Sequence, residues 1–165
     1  MDKRIVLVGD NKSFMVNSII KELATKMEQV LKDEDIRKQK KRILIVDDDG
    51  TMLRTIKSWL DEDYYVFMVN SGVAAITFLA TNEVDLILLD YEMPITTGPQ
   101  VLEMLRSEKK TSKIPVIFLT NKRDKESVMN VLDLKPEGYL LKTRGKFALL
   151  TQLSEFFEKE KAKDY

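Results

Sequence analysis

The chain has 165 residues, with Lys plus Arg and Asp plus Glu both at 27, and neither Cys nor His. That excludes disulfides, thiol and imidazole chemistry, and a global field able to draw nucleic acid or an anionic membrane. Any chemistry must rest on carboxylates, hydroxyls, Lys and a hard cation, in one domain with an appendage and without the ~18 consecutive apolar residues of a membrane span.

Residues 1–40 read as a strand–helix extension. Ile5 to Val8 has the form of a short strand, Gly9-Asp10-Asn11 that of a turn, and a helix is expected from about Ser13. A strand there with no neighbour would be a sticky edge, so it is expected to join a sheet. Within the helix Val16, Ile20, Leu23, Met27 and Val30 recur at spacings of four and three. The stripe covers about two heptads, short of a clear coiled coil. Packing on its own protein and homodimer formation both stay open. Met1-Asp2-Lys3-Arg4 leads into too short an apolar run for a signal peptide, so a cytoplasmic location is expected. Lys32 to Lys41 is nearly all charged and reads as a solvated helix end or linker.

At Lys41 the pattern restarts. Lys41-Arg-Ile-Leu-Ile-Val-Asp47-Asp48-Asp49 has the form of Lys3-Arg-Ile-Val-Leu-Val-Gly9-Asp10-Asn11, which suggests a partial internal repeat and a second domain over 41–165. Strands are predicted at Ile43–Val46, Tyr64–Val69, Val84–Leu89, Pro115–Leu119 and Tyr139–Leu141. Between them run helical faces: Met52, Leu53, Ile56 and Leu60; Val73, Ile76, Phe78 and Leu79; Val101, Leu102 and Leu105; Val128, Met129, Val131 and Leu132. A last helix from about Lys146 carries Phe147, Leu150, Leu153, Phe156 and Phe157. Strands alternating with helices predict an α/β fold with a doubly wound five-stranded parallel sheet of order 2-1-3-4-5.

That order makes the first and third strands neighbours at the switch point, where such sheets bind ligands. The first ends in Asp47 and Asp48 and the third, an unbroken apolar run, ends in Asp90. Three converging carboxylates repel one another unless a cation joins them, and a hard divalent ion, Mg²⁺, suits an all-oxygen set. The fourth strand ends in Thr120 and the fifth in Lys142. A hydroxyl and an ammonium opposite an acid–metal cluster suit a phosphoryl group.

Ile43-Leu-Ile-Val-Asp-Asp-Asp49, Asp85-Leu-Ile-Leu-Leu-Asp-Tyr-Glu-Met-Pro94 with Gly98, Pro115-Val-Ile-Phe-Leu-Thr120 and Gly138-Tyr-Leu-Leu-Lys142 together resemble the receiver domain of bacterial two-component response regulators, across about 41–160. The resemblance implies a flavodoxin-like fold and a signalling domain rather than an enzyme. It implies that Asp90 takes a phosphoryl group from a phosphohistidine on a sensor histidine kinase or phosphotransfer protein, becoming 4-aspartylphosphate. Asp48, Asp90 and the backbone carbonyl of Glu92 would hold Mg²⁺, with Asp47 helping through water. Lys142 would pair with a phosphoryl oxygen, Thr120 would hydrogen-bond it, and Tyr139 would turn inward as the coupled switch. A chain without His can receive the group but cannot be the histidine donor.

Three residues depart from the family pattern. Thr143 stands where a Pro usually follows the Lys across a cis bond; a cis non-proline bond costs ~3–4 kcal/mol, so trans geometry or an altered loop, with Lys142 held less firmly, is expected. Asn121 stands where a small residue is usual, and Glu92 adds an acid beside the site. Two other readings compete. Asp47-Asp48-Asp49-Gly50-Thr51 contains the Asp-x-Asp-Gly-Thr signature of haloacid-dehalogenase-type phosphatases, with Asp47 as nucleophile and Asp49 as acid/base, but that leaves the Asp90 strand unexplained. A phosphorylation-independent interaction module is the other. No DNA-binding, cyclase or methylesterase segment follows the last helix, so a stand-alone receiver acting by protein contact, a phosphate relay and a piece of a longer chain all stay open.

Overall fold

The computed structural model describes residues 4–121 and 132–164, with side chains from residue 11 onward. The chain divides into two compact units, Met1–Lys40 and Lys41–Tyr165.

The first unit is one helix, α1, Arg4–Gln39. This corrects the expected strand–turn–helix: Ile5 to Val8 and Gly9-Asp10-Asn11 lie within the helix. A four-residue apolar run cannot by itself distinguish strand from helix. A strand needs a neighbour for its backbone groups, whereas a helix closes its hydrogen bonds internally, and one interior Gly costs only ~1 kcal/mol. The repeat at Lys3 and Lys41 is therefore one of sequence form only.

The second unit contains β1 (Arg42–Val46), α2 (Gly50–Leu60), β2 (Tyr65–Val69), α3 (Gly72–Thr81), β3 (Leu86–Asp90), α4 (Gly98–Ser107), β4 (Val116–Thr120), β5 (Gly138–Leu141) and α5 (Gly145–Lys163). All pairings are parallel and the order is β2-β1-β3-β4-β5, as predicted. Single-turn 3₁₀ segments occupy Leu132–Leu134 and Lys142–Arg144. The expected helix bearing Val128, Met129 and Val131 lies outside the described residues, and Leu132 falls in the first of those turns.

Every residue of β3 and β4 is buried, because helices cover both faces. The period of two divides their side chains. Ile43, Ile45, Leu86, Leu88, Ile117 and Leu119 pack with Leu53, Ile56 and Leu60 of α2 and Leu149, Leu153 and Phe157 of α5. Leu44, Val46, Ile87, Leu89, Val116 and Phe118 pack with Ala75 and Leu79 of α3 and Val101, Leu102 and Leu105 of α4. Two residues expected on buried faces lie outside: Val73 and Phe147 are 67% and 84% exposed. Ala75 and Leu149 hold the inward positions instead, since each helix's rotation is set by the sheet it covers. No helix of the described residues is long and apolar enough to cross a membrane.

Candidate functional site

Register delivers the acids. Val46 pairs with Leu89, so Asp47 and Asp90 leave adjacent strands at the same level. Asp47 is fully buried and its N–H donates to Val69 O at 3.2 Å, extending the ladder to β2. Asp90 is 4% exposed, and Asp48 turns out to solvent. One carboxylate oxygen from each of Asp47, Asp48 and Asp90 lies within 4.8 Å of the others.

The Lys142 ammonium closes the crevice. It donates to Asp47 Oδ2 at 2.6 Å and stands 3.1 Å from Asp90 Oδ1. Its side chain is only 6% exposed. One strand end has thus brought a cation between two buried anions, 95 residues apart in sequence for Asp47 and Lys142. Charge and burial then compete at each group. Desolvation, then the neighbouring Asp47 charge, push the Asp90 carboxyl up to about 7, against the downward pull of Lys142 and the Glu92 N–H. Burial draws Lys142 down, but its bond to Asp47 and the charges of Asp90 and Asp47 outweigh that and hold it above its ordinary value.

The loops around the acids are fixed by short-range bonds. Asp47 Oδ1 accepts the Asp49 N–H at 2.9 Å. Asp49 caps α2, its Oδ1 accepting the N–H groups of Thr51 at 2.8 Å and Met52 at 3.3 Å. That capping role accounts for the Asp-Gly-Thr run without the acid/base function of a phosphatase. The Glu92 N–H donates to Asp90 Oδ1 at a long 3.4 Å, placing Glu92 at the rim. After Pro94 the chain turns over three residues, with the Thr96 N–H bonded to Pro94 O at 2.7 Å and Ile95 at φ +69°. Gly98 then returns to within bonding distance of Tyr91 O, and a Cβ on it would stand 2.3 Å from the Asp90 carbonyl oxygen. Thr97 closes a capping box with Gln100, which starts α4 directly behind the acid.

Thr120, 1% exposed, ends β4 one residue beyond the Asp90–Leu119 pair. Tyr139 on β5 has its hydroxyl buried, and its ring lies 5.8 Å from that of Tyr91 and 5.7 Å from that of Phe118. The structure therefore gathers Asp47, Asp48, Asp90 and Lys142 at the strand ends, with Thr120 on the neighbouring strand end and Tyr139 on β5. Lys142 and Thr143 lie in the 3₁₀ turn, and no peptide bond among the described residues is cis. Sequence reasoning did not single out Tyr91. An aromatic residue one place after an acid gives no signal until β4 and β5 set two more rings beside it.

Residues 43–154 match the response regulator receiver domain family. The chain belongs to that family. Among similar proteins, the probable transcriptional regulator ycf29 of Pyropia yezoensis is 30% identical over 124 residues, 74% of this chain and 56% of that protein. The chemotaxis protein CheY-3 of Vibrio cholerae is 27% identical over 128 residues, 76% of this chain and 98% of that protein. The chain thus spans about half of the first relative and nearly all of the second. The Mn²⁺-bound form of the response regulator Rcp1 superposes with a TM-score of 0.62 at 27% identity, covering 71% of this chain and 94% of that one. The three clustered carboxylates, hard oxygen donors facing one crevice, fit a divalent cation.

Proposed function

We propose that this receiver accepts a phosphoryl group on Asp90 from a phosphohistidine of a sensor histidine kinase or phosphotransfer protein, and signals through a protein partner. The observation that carries the reading is the Lys142 ammonium set between the buried Asp47 and Asp90 carboxylates. It supplies a fixed positive charge where a phosphoryl group on Asp90 would place its negative oxygens. An Asp90 Oδ attacks phosphorus, the O–P bond forms, and the P–N bond of the donor imidazole breaks with its electron pair returning to that ring. Bound Mg²⁺, held by Asp48 and Asp90 with the Glu92 carbonyl and assisted by Asp47, would supply charge neutralisation for the transferring group. Lys142 then exchanges a carboxylate partner for a phosphoryl oxygen, Thr120 donates its hydroxyl to another, and the Tyr139 ring turns inward as the coupled switch. Such a coupling biases two arrangements of one surface, which is how the partner reads the state.

Intact-mass measurement after incubation with Mg²⁺ and acetyl phosphate tests this, wild type beside Asp90→Asn. One phosphate adduct, cleaved by hydroxylamine and lost in the variant, is expected. A folded chain that takes no adduct would leave an interaction module independent of phosphorylation. An adduct that persists in Asp90→Asn and vanishes in Asp47→Asn would move the nucleophile to Asp47.

A further inference from the structure

α1 runs for 36 residues, about 54 Å at 1.5 Å per residue. Its stripe is open to solvent: Val16, Ile20, Leu23, Met27 and Val30 are 53%, 59%, 56%, 66% and 56% exposed. Helices in water draw most of their stability from packing an apolar face, and this face repeats at the coiled-coil spacing. Set in heptads, Ile20 and Met27 take the a positions and Val16, Leu23 and Val30 the d positions. The next a and d are Glu34 and Arg37, with Asp33 at g and Lys38 at e.

The geometry points to a second copy of this chain as the occupant, in a parallel, in-register two-stranded coiled coil through α1. A knob at a enters a hole whose corners include the following d of the facing helix. Glu34 therefore meets the partner's Arg37, while Asp33 at g meets the partner's Lys38 at e. The two-fold axis repeats both pairs, so four ion pairs close the charged end of the seam. Running the second helix antiparallel about Leu23 would instead place Glu34 against Lys12 and Arg37 beside Asp10, but would leave Asp33 facing Ser13 and Lys38 facing Val8. Higher up, Ile19 at g faces the partner's Ala24. Lys26, bonded to Glu22 of its own helix at 2.8 Å, lays its stem over the partner's Leu31. Apolar layers supply the driving force, and the charges fix direction and register.

Sedimentation equilibrium of the full chain at micromolar concentration is expected to give twice the chain mass of 19.1 kDa. Leu23→Glu should raise the dimer dissociation constant ~100-fold or more, the factor implied by losing a buried leucine from each helix. Glu34→Arg should weaken the dimer, and adding Arg37→Glu should restore it, since both pairs then reverse together. The chain has no Cys, so Met27→Cys reports alone: oxidation should link two chains at the a position. Circular dichroism on each variant checks that the receiver sheet is intact. A monomer, a trimer, a dimer indifferent to Leu23→Glu, or one that Met27→Cys fails to cross-link would each overturn the proposal.

Discussion

Asp90 is acidic by type and reluctant to ionise by position. Its folded value of about 7 stands above an ordinary 3.8 because burial and Asp47 both penalise the charge. Between those values the folded chain binds more protons than the unfolded chain, so stability falls as pH rises through that window. Asp90→Asn removes the ionising group and leaves Lys142 paired with Asp47. In metal-free buffer the variant's urea midpoint should therefore gain on wild type between pH 5 and pH 8, followed through the single, half-buried Trp59. A constant offset at both pH values would contradict the raised carboxyl. Lys142 is the converse case. Lys142→Met leaves two buried carboxylates facing each other, at a cost on the order of 3 kcal/mol. The loss should be greater at pH 8 than at pH 5, where Asp90 takes up a proton, and added Mg²⁺ should recover part of it. Denaturant titrations with and without the ion decide the point.

Between β3 and α4, the loop holds both the tightest and the most strained backbone of the site. Gly98 approaches the Asp90 carbonyl so closely that a methyl group would overlap it. Gly98→Ala should cost about 1–3 kcal/mol through forced displacement of that strand end, and should slow adduct formation by acetyl phosphate. Normal stability with normal phosphorylation would show that the loop yields freely. Ile95 presents the opposite opportunity. A β-branched residue at φ +69° is conformationally unfavourable, and this one is fully exposed, so its side chain contributes little packing. Ile95→Asn should stabilise the receiver unit by about 1 kcal/mol, read as a rise in thermal midpoint. A fall would mean that the isoleucine is held by contacts formed in solution.

At the scale of the whole molecule, residues 41–165 carry both core clusters and the complete acid–lysine site. A chain starting at Lys41 should therefore unfold cooperatively and take the same phosphate adduct as the full chain; loss of either would assign residues 1–40 a part in the receiver. The parallel sheet, its order and the strand-end positions of Asp47, Asp48, Asp90, Thr120 and Lys142 were legible in the sequence. Unbroken apolar runs ending in polar residues have few other uses in an alternating strand–helix chain. Local pattern was weakest at Ile5 to Val8, where one short run is compatible with two structures, and at Val73 and Phe147, where the periodicity places an apolar residue without saying which way its helix turns. Distances were beyond its reach. Composition and order put three carboxylates and a lysine at one rim. Only the β1–β3 register and the β5 path brought Lys142 within 2.6 Å of Asp47, because pairing across a sheet joins residues that no local rule connects.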